Sequence, residues 1–165
     1  MNVKNTFVII LGLLFSSLLS ISQSTLTPEQ KQELVDRHNY YRTKAGAPPV
    51  VWSDKIADEA YIWAKKIAKM DKMVHSNTDY GENIYVSTAA PDLSKVVDLW
   101  ASEQKYYHGE EISYDNYHLF GHYTQIIWAK TTEIGCAEAV SKSGKHYWVC
   151  QYNPPGNYIG QKPVK

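Results

Sequence analysis

The sequence predicts an α+β domain whose helices and strands lie in separate layers. Three observations carry that expectation. Apolar residues recur at helical spacing in three long segments. The strand-like runs are few and short, and two of them flank a turn. Neither strand–helix–strand alternation nor an internal repeat occurs, which argues against a doubly wound sheet.

The first segment, MNVKNTFVIILGLLFSSLLSISQS, stands apart from that domain. Lys4 supplies a basic start, Phe7 to Leu19 form an uncharged apolar run, and small serines follow. This is the pattern of a secretory signal peptide over residues 1–24, cleaved to leave a single domain over 25–165. An uncleaved anchor is the alternative, but a spanning helix needs about 20 apolar residues, and this run grades into serine sooner. Losing Lys4 leaves 16 basic against 17 acidic residues. Such a balance gives no electrostatic footprint for nucleic acid or an anionic membrane. The 13 tyrosines and 5 tryptophans suit partly wet grooves and interfaces, because each ring carries a polar handle.

Within the domain, Thr27-Pro28-Glu29-Gln30 reads as a helix start, with Thr27 as cap, Pro28 at the first helical position and Gln30 closing a capping box. Leu34, His38 and Tyr41 then share one face, which makes His38 a core histidine. Gly46 and Pro48-Pro49 stop that helix. Ser53 caps a second helix, with Ile56, Ala60, Ala64 and Ile67 as its apolar stripe. The turn-rich HSNTDYGEN leads into a short strand, IYV, and Pro91-Asp92 opens a third helix striped by Leu93, Val96 and Trp100. A tyrosine-rich loop of about 18 residues follows, YYHGEEISYDNYHLFGHY, long enough to suggest a function. A short helix from TQIIWAK, a hairpin and a Pro/Gly-rich tail complete the domain.

The hairpin carries both cysteines. With Ser141 to Lys145 as its loop, Val140 faces His146, and the same register sets Cys136 opposite Cys150, within disulfide reach. In an exported chain such a pair oxidises; two buried free thiols are the alternative.

Candidate chemistry rests on four polar residues at the edges of apolar segments: His75, Glu82, Glu103 and His122. Glu103 lies on the stripe of Val96 and Trp100, where a carboxylate must be paired or face a cleft. Gly81 allows close backbone approach beside Glu82. His118 precedes His122 by four residues, but Gly121 between them argues against one continuous helix. No HExxH or GxSxG motif occurs, and spacing alone does not bring these residues together.

Several segments in order resemble the CAP superfamily of cysteine-rich secretory proteins, antigen 5 allergens and group 1 pathogenesis-related proteins. GHYTQIIWAKTTEIGCA and YWVCQYNPPGNYIGQKP are similar to its two signatures. HNYYR, PPVVWSDKIADEAYIWA, HSNTDYGENIY and WASE fall in the family's order. The resemblance implies an α-β-α sandwich around a central antiparallel sheet, and a cleft where His75, Glu82, Glu103 and His122 meet. It implies a secreted, non-enzymatic protein with no catalytic residue, binding a sterol or fatty acid, or a partner protein. Tyr106, Tyr107, Tyr114, Tyr117 and Tyr123 would line the ligand groove. The alternative it admits is a zinc site on His75 and His122 with weak metal-dependent hydrolase activity, zinc being no obligatory cofactor. The chain departs from plant members in having one cysteine pair rather than three, and in Gln151 where the family usually has Asn.

Overall fold

The structure, a computed structural model, describes residues 26–165. The signal peptide expected over 1–24 lies outside the described residues. Helix α1 spans Pro28–Ala45, strand β1 Val51–Trp52, helix α2 Asp54–Met70, and strand β2 Gly81–Ser87. Helix α3 spans Leu93–Ala101 and runs into a 3-10 turn, Ser102–Tyr106. Helix α4 covers Tyr117–Ile126, and β3 (Glu133–Val140) and β4 (His146–Asn153) form the hairpin.

Local chemistry sets the helix ends. Thr27 Oγ1 accepts from the Gln30 N–H while Gln30 Oε1 accepts from the Thr27 N–H, so two N-terminal donors are satisfied reciprocally. Gly46, at φ 77°, ends α1 in the left-handed region. Ser53 occupies the cap position of α2 without making a side-chain cap bond.

The strands stand in the order β1-β3-β4-β2. The hairpin register is the expected one: Val140 pairs with His146 and Cys136 with Cys150, and the two sulfurs are bonded. The sheet is mixed rather than wholly antiparallel, because β1 runs parallel to β3 through Val51↔Glu133 and Trp52↔Ile134. Two residues are too few for alternation to announce a strand.

Side-chain alternation then divides the core. Ile134, Cys136, Trp148, Cys150 and Tyr152 face α1, α3 and α4, where they bury Leu34, Val96, Trp100 and Ile126. Ala137, Tyr147 and Val149 face α2, burying Ala60, Ala64 and Ile67. The α2 layer lies close because Gly135 has no side chain: a Cβ there would stand 2.1 Å from the Ala57 nitrogen. Burial of roughly 1.5–3 kcal/mol per large apolar side chain on both faces favours the three layers. Among the described residues no helix is long and apolar enough to cross a membrane.

A second expectation is corrected. The tyrosine-rich stretch is not a loop through Tyr123, and the following helix does not start at Thr124. Helix α4 already begins at Tyr117, with non-helical torsions at Phe120 (φ −147°, ψ 15°). Fully buried Phe120, edge-on to Tyr107, anchors this break. The break scrambles apolar periodicity, so the sequence reads as irregular where the chain is helical.

Candidate functional site

Strand β2, the loop before it, and α4 bring the four polar residues to one end of the sheet as two histidine–carboxylate pairs. Glu82 opens β2 opposite Gln151 on β4. A Cβ at Gly81 would stand 2.1 Å from Gln125 Oε1, so any side chain there would have to displace the buried Gln125 amide. The Glu82 carboxylate is almost fully buried and accepts from His75 Nδ1 (2.8 Å), the Ser76 N–H (2.9 Å) and Gln151 Nε2 (3.1 Å). Burial pushes this carboxyl up, but those hydrogen bonds outweigh it and hold the pKa below its ordinary value. The His75 ring, 65% exposed, has its pKa raised by the hydrogen bond to Glu82, against a smaller opposing effect of desolvation.

The second pair is built on backbone. Glu103, in the 3-10 turn after α3, accepts from His122 Nδ1 at 2.7 Å and from the backbone N–H groups of His122 (2.9 Å) and Tyr123 (3.2 Å). These N–H groups lie just past the break at Phe120, where the helical ladder leaves donors free. The imidazole stacks on Trp100 with centroids 6.2 Å apart and planes at 16°. Asn83 Nδ2 donates to the His122 carbonyl and to the Tyr152 hydroxyl. Tyr152 in turn donates to His38 Nε2 at 2.9 Å, and His38 Nδ1 donates to the Leu34 carbonyl at 2.7 Å. A buried polar chain thus ties the site to α1, and His38 is the core histidine the sequence implied.

His75, Glu82 and His122 line one cleft of about 240 Å³, together with Asn83, Tyr117, His118, Gly121 and Asn157. Glu103 holds the His122 ring and borders an adjoining groove of about 560 Å³, lined mostly by apolar residues such as Ile84, Val86, Leu99 and Trp100, with Asp71 and Lys145 also in its lining. His122 is the wall between the two. In each pair the carboxylate holds Nδ1, which leaves Nε2 as the ring nitrogen free to meet a ligand. Among the described residues no three His, Cys, Asp or Glu side chains already form a metal-holding group. The arrangement therefore offers two carboxylate-held imidazoles in the lining of one cleft, not a closed structural site.

The five tyrosines do not share one wall. Tyr123 is buried, and Tyr107 packs against it and Phe120. Tyr106 and Tyr114 are exposed, the former beneath the Lys105 ammonium. Tyr117 alone lines the cleft.

Sequence reasoning gave no site role to Asn83, Gln151 or Asn157 and no cleft position to His118. The cross-strand pairing Glu82↔Gln151 depends on a β2–β4 register that no local pattern specifies. Asn157, at φ 56°, follows the cis Asn153-Pro154 bond and bridges Thr124 and the Gly121 carbonyl. The Pro-Pro-Gly run before it is the signal that could have marked a specially shaped segment.

Comparison with known proteins places this geometry in context. Residues 35–152 match the profile of the cysteine-rich secretory protein family, CAP. The chain is 34% identical to pathogenesis-related protein 1A of Nicotiana tabacum, across 88% of this chain and 87% of that protein. It is 36% identical to venom allergen 5 2 of Polybia paulista, across 87% and 82%. The crystal structure of NaASP2 with Zn2+ superposes with a TM-score of 0.73 at 21% identity, over 85% of this chain and 87% of the other. At that identity the likeness speaks for the fold.

Proposed function

This chain belongs to the cysteine-rich secretory protein family, and from that premise we propose that it is an exported, non-enzymatic binding protein whose cleft takes a divalent cation between His75 and His122. The observation that carries this reading is the pairing of each imidazole with a carboxylate through Nδ1, at 2.8 and 2.7 Å. That outer hydrogen bond orients a metal-binding histidine and raises its basicity. Neutral imidazole suits zinc and other borderline cations rather than magnesium or calcium. Water would complete the coordination. NaASP2, a structural relative, was solved with Zn2+.

The non-enzymatic reading follows from how the acids are used. Glu82 and Glu103, the two carboxylates available as general bases, are each occupied by an imidazole and by N–H donors. Cys136 and Cys150 are bonded, so neither supplies a thiol nucleophile. A secretory family and an oxidised cysteine pair both support an extracellular location.

A second ligand is favoured by the groove beyond His122. The cleft itself is smaller than the ~300–1,000 Å³ of ordinary small-molecule sites, and polar. The adjoining ~560 Å³ groove is within that range and has a mostly apolar lining. A fatty acid or sterol fits there better than against the scattered tyrosines.

Calorimetric titration with zinc, beside the His75→Ala/His122→Ala double variant, tests the metal reading. Micromolar or tighter binding that the variant loses supports it; binding that survives both substitutions, or none at all, rejects it. For the groove, a fatty acid that binds only the native state must raise the thermal midpoint. No shift, or an equal shift in Leu99→Glu, rejects the groove as its site.

A further inference from the structure

We propose that His118 is the third protein ligand of the cleft cation, turning a two-imidazole site into a three-imidazole site selective for zinc-like metals. This rests on the cation-binding reading above and adds a residue to it.

His118 and His122 lie on α4, four residues apart, with the break at Phe120 between them. In an unbroken helix that spacing stacks two side chains on one face. The break at Phe120 interrupts that geometry, yet both residues line the same cleft as His75. Their backbone is held on both sides. Fully buried Phe120 pins the first turn, while Asn116 ties the start of α4 by accepting from the Ser113 N–H and donating to the Glu111 carbonyl. Past the break, Glu103 fixes the His122 and Tyr123 N–H groups.

The His118 side chain itself is exposed, with an edge-on contact to the Tyr117 ring at 6.3 Å. No third ligand is yet in coordinating position among the described residues, so the ring must turn into the cleft as the cation binds. Exposed side chains exchange rotamers within nanoseconds, and the edge-on contact to Tyr117 is a weak barrier to the movement. Three neutral imidazoles and one water make the open tetrahedral arrangement zinc favours, whereas hard cations need oxygen donors.

Zinc titration of the wild-type protein, His118→Ala and His75→Ala/His122→Ala, with zinc-edge X-ray absorption on each loaded protein, decides the matter. The expected result is zinc affinity at least tenfold weaker in His118→Ala, and an imidazole count falling from three to two. The metal-free thermal midpoint of His118→Ala should be unchanged, since the side chain is exposed. Equal affinity in wild type and His118→Ala, with two imidazoles in both, overturns this inference and leaves the two-histidine reading standing. Absence of zinc binding in wild type, or binding that survives His75→Ala/His122→Ala, overturns both.

Discussion

Glu103 holds His122 at two points of the same residue, accepting the ring Nδ1–H at 2.7 Å with one oxygen and the backbone N–H at 2.9 Å with the other. Ring and main chain are therefore fixed together, and a third bond from the Tyr123 N–H completes the set. A carboxylate, which only accepts, fits three donors; a carboxamide does not. Glu103→Gln turns its NH₂ toward an N–H donor or strands one. The substitution should lower stability by about 1–3 kcal/mol and zinc affinity by roughly 10–100-fold. Urea unfolding and calorimetry check the two effects; unchanged zinc affinity would contradict the positioning role.

A second prediction concerns Arg42. Its guanidinium is fully buried, pairs with no carboxylate among the described residues, and donates to the carbonyls of Pro48, Ile126, Trp128 and Thr131. Desolvation lowers its pKa to about 10, so it stays charged at neutral pH. Arg42→Met should destabilise by at least about 3 kcal/mol, because several buried acceptors lose their donors at once. Arg42→Lys should not rescue it, since an ammonium cannot reproduce the planar fork. Urea unfolding of both variants gives the comparison, and near-wild-type stability of Arg42→Lys would refute the argument.

Much of the fold is legible because its determinants are local. The Thr27–Gln30 capping box, the Ile56–Ala60–Ala64–Ile67 stripe and the Cys136–Cys150 register each need only a few neighbouring residues. Arg42 was within reach, lying four residues beyond His38 and eight beyond Leu34 on the same buried face of α1. Its charge argues for solvent until its carbonyl partners appear, three of them more than 80 residues away. The start of α4 was hidden by the break at Phe120, and β1 by its length. For the site, residue spacing offered candidates only; family resemblance named the tetrad, and the structure shows it as two pairs with Glu103 outside the cleft.

His38 makes stability depend on pH. Burial pushes its pKa from 6.5 down to about 4, so the folded protein keeps it neutral while the unfolded chain protonates it. Between those values the unfolded state binds more protons, and stability falls as pH falls. The contribution is complete above about pH 6.5 and gone near pH 4, a loss on the order of 3 kcal/mol. Urea unfolding at pH 7 and 4.5 should show a steeper loss in wild type than in His38→Gln. Equal losses would mean that His38 is not the group responsible.

The disulfide closes the β3–β4 hairpin over a sequence separation of 14. A loop of this size stabilises by roughly 3 kcal/mol in the chain-entropy model. The Cys136→Ala/Cys150→Ala protein should lose about that much yet still bind zinc, since the eight-pair β3–β4 ladder and both histidine–carboxylate pairs remain. Thermal unfolding and calorimetry report the two; loss of zinc binding in a folded variant would show that the hairpin positions the site more directly than its hydrogen bonds indicate.

The central claim is that Glu82 and Glu103 fix His75 and His122 with their Nε2 atoms turned toward one cation. Long-range proton–nitrogen NMR of the imidazole rings tests it most directly. In the metal-free protein the neutral form of each ring should carry its proton on Nδ1, and one equivalent of zinc should shift both Nε2 resonances together. Protons on Nε2, or Nε2 resonances that zinc leaves unmoved, would contradict it.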